Sequence, residues 1–281
     1  MAGDASLEFK DKVVLITGAS AGIGRRLALD MAERGAVVVG CGRSQERLVE
    51  TLAAMKRHSP SSSVHLCDVG NAEQVKSMIQ KVLSELGRID ILINNAGFGI
   101  YQSFNNSPLD SIEGIVRTNL LGAVYCIKEV LPSMIQRGSG HIVNISSVAG
   151  KIGTPNMASY CASKFALIGL SEALYHELRP LGIQVSVICP GPVRTKMRLL
   201  LDHLASGVWI PEFLILRTEA VSRSVIRSLE KRRFQVVLPF WLALVCFVKG
   251  LAPNLFQLLS YRVLRLRLER GMKEVHRDKS P

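Results

Sequence analysis

A glycine-rich turn that directly follows a short apolar run constrains the fold more than any other feature. Residues 12–17 read Lys-Val-Val-Leu-Ile-Thr, and residues 18–24 read Gly-Ala-Ser-Ala-Gly-Ile-Gly. From Arg25 to Arg34 the apolar residues then recur at helical spacing until Gly35. A β-branched run, a cluster of glycines and an amphipathic segment predict a strand, a tight turn and a helix, in that order.

The same alternation of apolar runs and helical patterns continues along the chain. Further strands are predicted at residues 37–39, 64–67, 89–93, 141–145, 184–188 and 234–239, and helices at 46–58, 73–86, 109–137 and 157–181. Strict β-α alternation is typical of a doubly wound parallel sheet. We therefore expect an α/β chain of three α/β/α layers, the Rossmann fold, as one catalytic domain over residues 1–240 with a helical extension over 241–281.

Composition restricts the class of protein. The six cysteines form no Cys-x-x-Cys pair and have no histidine at zinc-ligand spacing, so they are expected to be buried thiols in a reducing compartment, with no metal site. The first eight residues are acidic and contain no apolar segment, which favours a cytoplasmic protein. The net charge is +12, and residues 217–281 hold fourteen Lys/Arg against five Asp/Glu, a difference of +9.

The glycine turn predicts a nucleotide site. Gly18, Gly22 and Gly24 allow the backbone to approach a pyrophosphate, whose charge is met by amides at a helix N-terminus. An enzyme that uses NAD would place Asp or Glu at the end of the second strand, to bind the ribose 2′-hydroxyl. The chain has Gly-Cys-Gly-Arg-Ser at residues 40–44 instead. Arg43 favours a 2′-phosphate, so NADP(H) is the preferred cofactor and NAD(H) remains possible. Arg25 or Ser44 is a candidate for a second contact to that phosphate.

Tyr160 and Lys164 form a candidate acid/base pair, with Ser147 thirteen positions upstream of the tyrosine. Four residues apart on a helix, a phenol and an ammonium lie on one face. The pKa of a free phenol is about 10, and a fixed positive charge nearby favours the phenolate. Such a pair is the proton-transfer unit that the reduction of a carbonyl group needs.

These segments together resemble the short-chain dehydrogenase/reductase family, specifically its single-domain branch that prefers NADP, from about Lys12 to about Pro239. The resemblance lies in the glycine turn, Asn94–Gly97, Asn119, the set Ser147, Tyr160 and Lys164, and the turn at residues 190–195. It implies that Tyr160 protonates the developing alkoxide, that Ser147 binds the same oxygen, and that Lys164 lowers the pKa of the tyrosine and holds the nicotinamide ribose. Asn119 would hold a water that links Lys164 to solvent. The neighbouring Ser146 is set aside, because strand alternation directs it to the opposite face.

The resemblance also implies a set of cofactor contacts. Asp68 and Val69 would contact the adenine, and Asn94, Ala96 and Gly97 would form the wall beside the adenosine ribose. The expected cofactor-binding residues are Gly18, Ser20, Ala21, Gly22, Ile23, Gly24, Arg43, Asp68, Val69, Asn95, Ala96, Gly97, Tyr160, Lys164, Pro190, Gly191, Val193 and Thr195.

An apolar substrate is expected from the residues around the predicted cleft. Residues 196–201 and 208–216 contain many large apolar side chains and would cover the nicotinamide as a lid. Phe98, Ile100, Tyr101 and Phe104 could line the same cleft, or pack in the core or in a dimer. A homodimer or homotetramer is expected.

The C-terminal extension predicts two short helices. Residues 241–248 are apolar but stop at Lys249, and Pro253 breaks the pattern, so the segment is shorter than the ~20 residues of a spanning helix. Leu255, Leu258 and Leu259 then begin a helical pattern that arginines flank. Such a basic, apolar segment fits an anionic membrane surface better than nucleic acid. It could equally cover the substrate mouth, or dock on the domain or on a second subunit.

The pattern as a whole favours an NADP(H)-dependent oxidoreductase that interconverts a carbonyl and a secondary alcohol, on a lipid, steroid or fatty-acyl substrate. One alternative is a catalytically idle nucleotide-binding scaffold at a membrane. The other is a sugar epimerase or dehydratase of the same superfamily, which shares the Tyr-x-x-x-Lys pair but uses a different glycine spacing.

Overall fold

The computed structural model describes residues 9–195 and 212–262. Its centre is a seven-stranded sheet in which every neighbouring pair of strands is parallel. The strands are β1 (Val13–Thr17), β2 (Val37–Gly42), β3 (Ser63–Leu66), β4 (Ile91–Asn94), β5 (Gly140–Ile145), β6 (Ile183–Pro190) and β7 (Gln235–Leu238). The strand order is β3-β2-β1-β4-β5-β6-β7, which confirms the predicted doubly wound parallel sheet.

Helices cover both faces of this sheet. They are α1 (Gly22–Glu33), α2 (Gln45–Met55), α3 (Ala72–Leu86), α4 (Leu109–Val116), α5 (Gly122–Arg137), α6 (Ala158–Leu178), α7 (Thr218–Glu230), α8 (Phe240–Leu251) and α9 (Pro253–Arg262). The strand β1 is buried along its whole length, and its side chains alternate between two apolar cores. Val14 and Ile16 contribute to the core that contains Leu27 of α1, whereas Leu15 contributes to the one that contains Val130 of α5. Burial on both faces explains why the strand sequences are apolar without alternation.

The strand order reverses direction at β1, which pairs with β2 on one side and with β4 on the other. In sheets of this kind the crevice at the carboxyl ends of the strands, beside the point of reversal, is where ligands bind. The glycine turn follows β1, and Asn95 follows β4. The fold therefore brings the predicted nucleotide segments to one edge of the sheet.

The predicted helix at residues 109–137 is divided in the structure. A π-helical turn, Arg117–Leu121, separates α4 from α5 and contains Asn119. The Asn119 side chain accepts a hydrogen bond from the Phe98 backbone amide and donates one to the Phe98 carbonyl, each at 2.9 Å. Both atoms of the side-chain amide are therefore bonded to a neighbouring loop. π-helical turns of this kind are frequent at functional sites.

Helices α8 and α9 follow the last strand, where the sequence predicted two short helices. Helix α8 continues past the end of the apolar run, through Lys249 to Leu251. The Lys249 ammonium bonds to the backbone carbonyl of Lys151, in the segment between β5 and α6. Among the described residues no single helix has the length and hydropathy to cross a membrane, and α8 and α9 meet that criterion only as a pair bent by 118°.

Candidate active site

A cleft of about 650 Å³ lies at the carboxyl edge of the sheet, above β1, β2, β4 and β5. One end is lined by Arg43 and Arg47, and the other by Tyr160 and Lys164. Pockets for small ligands and cofactors fall in the same range of volumes. The cleft therefore joins the predicted nucleotide site and the predicted acid/base pair in one space.

The glycine turn forms the floor of this cleft. Gly18 and Gly22 have backbone φ angles of +68° and +55°, which L side chains rarely adopt. At Gly24 a Cβ atom would lie 2.3 Å from the carbonyl oxygen of Gly18, so no side chain fits. Gly18, Ser20, Ala21, Gly22 and Ile23 line the cleft, whereas Gly24 is buried beneath it.

The N-terminus of α1 faces the cleft with its first amides available. Ala21 occupies the capping position and makes no side-chain hydrogen bond to the helix. The first-turn amides of a helix have no partner within the helix, and the helix dipole adds partial positive charge there. Gly22 and Ile23, the first helical residues, line the cleft. This is the donor set that suits a pyrophosphate, so the residues present fit a dinucleotide.

Two arginines border the end of the cleft beyond β2. Arg43 and Ser44 lie there as the sequence predicted, and Arg47 was not anticipated. The Arg47 Nε donates to the Ser44 Oγ at 3.0 Å, which joins the first turn of α2 to its capping residue. Arg25, the other candidate assistant, is not among the described residues that line the cleft. Arg47 lies three residues after Ser44, the capping residue of α2, and this spacing could have predicted that the two side chains meet.

The predicted adenosine wall is assembled with one exception. Asp68 and Val69 line the cleft, and the Asp68 carboxylate accepts a hydrogen bond from the Gly70 amide at 2.9 Å. Asn95 also lines it, with its amide group donating to the Thr17 carbonyl at 2.9 Å.

Asn94 is the exception. Its side chain is buried and donates to the Asn144 Oδ1 at 2.9 Å, across the β4–β5 pairing, so the expectation that Asn94 belongs to the ribose wall is not met. Side chains alternate along a strand, which is why Asn95 and not Asn94 faces the cleft. Ala96 and Gly97 line the cleft as predicted.

Tyr160 and Lys164 lie in the first two turns of α6, on the face that borders the cleft. The Lys164 Nζ lies 5.8 Å from the centre of the Tyr160 ring and donates to the Ile145 carbonyl at 2.9 Å. Both side chains are buried. The helix therefore brings the predicted pair together and anchors the ammonium at the end of β5.

Burial controls the protonation of this pair. It raises the pKa of Tyr160 to about 12, although a hydrogen bond with the Ser147 side chain opposes the rise. It also lowers the pKa of Lys164 to about 8. The direction for the tyrosine is opposite to the predicted one, because desolvation disfavours the phenolate and the ammonium is bonded to Ile145. The phenol is neutral at neutral pH with or without this shift, and the rise makes it a weaker acid.

Of the two adjacent serines, Ser146 lines the cleft, whereas Ser147 is not among the described lining residues. The choice of Ser147 stays a prediction, and it is supported by the hydrogen bond between the Ser147 and Tyr160 side chains. Its Oγ donates to the Pro190 carbonyl at 3.3 Å and accepts from the Ala149 amide at 3.1 Å, and it is half-buried beside Tyr160. The Ser146 Oγ is buried and donates to the Lys164 carbonyl at 3.0 Å. Ser146 therefore holds the backbone of α6, which leaves Ser147 as the hydroxyl next to the phenol.

Asn119 is buried below Gly97, and an added Cβ on that glycine would lie 3.0 Å from the Asn119 Oδ1 and 3.4 Å from the Lys164 Nζ. It also donates to the Ser163 Oγ at 3.1 Å, and Ser163 donates to the Tyr160 carbonyl at 2.7 Å. Asn119 thus connects the loop after β4 to the helix that carries the tyrosine. Its role with an ordered water stays a prediction.

The turn after β6 is only partly in the cleft. Thr195 lines it, whereas Pro190, Gly191 and Val193 are not among the described lining residues. Val193 packs against the apolar core, and Gly191 packs against Leu242 of α8. Their contacts to a cofactor stay predictions.

The predicted apolar wall divides similarly. Phe98 lines the cleft, Ile100 and Tyr101 are half-buried beyond it, and Phe104 is exposed. Residues 196–211, which contain most of the predicted lid, lie outside the described residues.

Comparison with known proteins gives a consistent picture. The family model described as short chain dehydrogenase matches residues 12–203. The chain is 38% identical over 227 residues to a protein of Nostoc named ketoacyl reductase HetN, covering 80% of this chain and 78% of that protein. It is 37% identical over 187 residues to the Staphylococcus aureus 3-oxoacyl-[acyl-carrier-protein] reductase FabG, covering 66% of this chain and 76% of that protein.

Solved structures agree with these relatives. A short-chain dehydrogenase/reductase from Burkholderia phymatum in complex with NAD superposes with a TM-score of 0.79 at 27% identity, covering 89% of this chain and 96% of that one. A short-chain dehydrogenase from Sphingobium yanoikuyae in complex with NADPH gives a TM-score of 0.74 at 29% identity, covering 86% and 96%.

Proposed function

The chain belongs to the short-chain dehydrogenase/reductase family and is a nicotinamide-dependent oxidoreductase, and we propose that it is an NADPH-dependent reductase that converts a ketone of a hydrophobic substrate to a secondary alcohol. The observation that carries this proposal is geometric: Tyr160 and Lys164 border the same cleft as the uncapped N-terminus of α1. Reduction needs a proton donor, and the Tyr160 hydroxyl is the candidate donor in that cleft.

The residues divide the reaction between them. Bound NADPH supplies the hydride. Tyr160 donates its hydroxyl proton to the carbonyl oxygen, and the Ser147 hydroxyl donates a hydrogen bond to the same oxygen. The Lys164 ammonium, 5.8 Å from the centre of the Tyr160 ring, stabilises the negative charge that develops as the phenol loses its proton. Asn119 fixes the helix and the loop that border the reacting atoms, so that these groups keep their positions.

Preference for NADPH is supported by charge at the β2 end of the cleft. No Asp or Glu occurs in residues 40–44, so nothing there repels a phosphate. Arg43 and Arg47 both line that end of the cleft and can form charge-assisted hydrogen bonds with a ribose 2′-phosphate. One solved relative is described with NADPH and another with NAD, so the family accepts both cofactors.

A hydrophobic, acyl-like substrate is supported by two relatives whose names describe reductases of ketoacyl groups. Phe98 adds an apolar ring to the cleft, and the apolar segments at residues 196–201 and 208–216 follow Thr195 in sequence. On this basis we also propose a role in lipid metabolism. The cytoplasmic location, the division at residue 240 and the homodimer or homotetramer remain predictions from the sequence.

A substrate panel tests the proposal. Purified full-length protein is incubated with NADPH or NADH and, in separate reactions, with long-chain and short-chain 3-oxoacyl thioesters, a steroid ketone and a ketose sugar. We expect NADPH consumption with the apolar ketones and formation of the matching secondary alcohol. Tight cofactor binding without consumption for any carbonyl would instead support the idle scaffold. A nucleotide sugar is added as a separate reaction, and its conversion would support the epimerase.

A further inference from the structure

The helical hairpin formed by α8 and α9 has an apolar face that nothing in the described structure covers. Phe240, Leu244, Phe247 and Leu251 recur along α8 at intervals of four, three and four residues, and their exposed fractions are 84, 59, 61 and 70%. In α9, Leu255, Leu258, Leu259 and Tyr261 are at least 50% exposed. Apolar residues at this spacing form one stripe on a helix, and globular proteins normally bury such a stripe.

The opposite face of α8 packs on the turn after β6, beside the residue that bonds to Ser147. Leu242 contacts Gly191 so closely that a Cβ on that glycine would lie 2.8 Å from the Leu242 Cδ1. Gly191 follows Pro190, whose carbonyl oxygen accepts the hydrogen bond from Ser147. The exposed apolar stripe is therefore separated from the candidate catalytic serine by the thickness of one helix and one turn.

A second contact fixes the same helix to the segment that follows Ser147. The Lys249 ammonium lies 5.0 Å from the centre of the Phe165 ring, and it bonds to the Lys151 carbonyl. Leu242 and Lys249 are seven residues apart, so they share one face of α8, opposite to Phe247 and Leu251. The exposure of the outer face therefore follows from the way in which the inner face is docked.

The charge of the segment indicates what covers the outer face. Residues 240–262 contain no Asp or Glu, and residues 240–281 hold eight Lys/Arg against three Asp/Glu, a difference of +5. Tryptophan, tyrosine and basic residues beside an apolar stripe are typical of helices that lie in the interface of an anionic membrane. A symmetric contact between two copies would pair this face with itself, and residues 240–262 contain no Asp or Glu to balance Lys249 and Arg262.

We propose that the α8–α9 hairpin lies in the surface of an anionic lipid bilayer and holds the mouth of the active site against it. Neither helix alone has the length and hydropathy to cross a membrane, so we place both of them on one side of the bilayer. A ketone dissolved among the lipid chains then reaches the cleft without crossing water. This second part of the proposal rests on the proposed reductase function, whereas the docking of the hairpin does not.

Vesicle flotation tests the docking. Full-length protein is mixed at low salt with vesicles of phosphatidylcholine and phosphatidylglycerol, or of phosphatidylcholine alone. The variant is Phe247→Glu with Leu251→Glu, and the matched control is Ile135→Glu with Leu181→Glu, two apolar residues exposed elsewhere on the surface. We expect the native chain and the control to float with the anionic vesicles, binding to fall at least about tenfold in the hairpin variant, and high salt to weaken it.

Activity measurements test the delivery of substrate. The hairpin variant should reduce a water-soluble ketone at the native rate, but a long-chain ketone held in anionic vesicles at least about tenfold more slowly. Equal losses on both ketones would overturn the delivery inference, because they would show that the hairpin only supports the site.

Four further outcomes are decisive. Native protein that stays out of the floated fraction, or a hairpin variant that floats as well as the control, would overturn the docking. A dimer that becomes a monomer in the variant, without vesicle binding, would show that the face is a subunit contact and would overturn it as well. Flotation as expected without turnover of any ketone would keep the docking and remove the reductase function.

Discussion

Two buried bases stand near the opposite ends of strand β5, and they differ in what surrounds them. His141 is the second residue of the strand, and the Lys164 ammonium bonds to the carbonyl of Ile145, its last residue. Both side chains are about 95% buried, and burial lowers the pKa of both, to about 3 for the histidine and about 8 for the lysine. A perturbed pKa alone therefore does not distinguish the two ends.

The surroundings do distinguish them. The His141 Nε2 is paired with the Ser186 Oγ at 2.8 Å, beside a hollow of about 220 Å³ at the amino ends of the strands. Lys164 lies beside Tyr160 in a cleft about three times larger, which also holds a helix N-terminus without a side-chain cap. The comparison teaches that a basic side chain with a shifted pKa indicates a catalytic role when it borders a cleft beside a second reactive group. Otherwise the shift indicates only burial in the core.

The largest expected effect comes from Tyr160→Phe. We expect turnover of the preferred ketone to fall about a thousandfold, because only the proton donor is lost, while the Kd for NADPH changes less than about twofold. Steady-state kinetics and fluorescence titration of the cofactor measure the two quantities. Turnover within tenfold of the native value would remove the phenol from the mechanism.

Lys164→Met should separate activity from stability. Turnover should fall about a hundredfold, while the free energy of unfolding at pH 7 rises by about 1–2 kcal/mol, since the variant buries no ammonium but leaves the Ile145 carbonyl without its donor. In the native protein the unfolded state binds more protons between pH 8 and 10.5, so stability should rise with pH in that window and not in the variant. Urea titrations across this range measure both effects.

The exposed Lys128→Met is the matched control, and it should change neither quantity. A Lys164→Met variant that is both inactive and strongly destabilised would show that the hydrogen bond to Ile145 outweighs the burial of charge.

His141→Gln should change acid stability and leave turnover within about twofold. The lowered pKa of His141 means that the unfolded state binds an extra proton between pH 6.5 and 3, so native stability falls as the pH decreases through that window. Between pH 7 and pH 5 this group should lower the free energy of unfolding of the native protein by about 2 kcal/mol. The variant should not show this contribution. The exposed His58→Gln should retain the native slope. A large loss of turnover in His141→Gln would contradict the contrast between the two ends of β5.

Arg43→Ala should give the smallest effect, a change in cofactor binding. It tests the end of the cleft that Arg43 and Arg47 line. The Kd for NADPH should rise about tenfold, or about 1.4 kcal/mol, while that for NADH stays unchanged, since only the 2′-phosphate contact is lost. Arg57→Ala, an exposed arginine at the end of α2, is the control. Equal changes for both cofactors would show that Arg43 acts through general charge and not through the 2′-phosphate.

Most of the fold could be predicted because strands buried on both faces have unmistakable sequences. Residues 13–16 are apolar, and β1 spans Val13–Thr17 where the sequence predicted a strand over residues 12–17. The division of the helix at residues 109–137 could not be predicted. It depends on a contact between Asn119 and the Phe98 backbone, which is twenty-one residues away in sequence and comes close only in the folded chain.

The candidate site shows the same limit. The spacing of Tyr160 and Lys164 placed them together because both belong to one helix. Arg47 and Asn94 were misjudged because their directions depend on how a strand or helix ends, which spacing does not encode. The pKa of Tyr160 was expected to fall, because a sequence shows the neighbouring charge but not the depth of burial that outweighs it.

The pairing of β1 with β4 has a consequence for the order in which the chain folds. Val14 pairs with Ile91, seventy-seven residues away, so this seam closes a long loop that contains α1, β2, α2, β3 and α3. Contacts between distant residues are slow to form, because the closure entropy of the loop must be overcome first. The cleft lies across this seam, and a half-folded chain has no complete binding site. The cofactor therefore binds only the finished sheet, and by mass action it should protect the amides of β1 and β4 from hydrogen exchange more than those of α8 and α9, which can open without it.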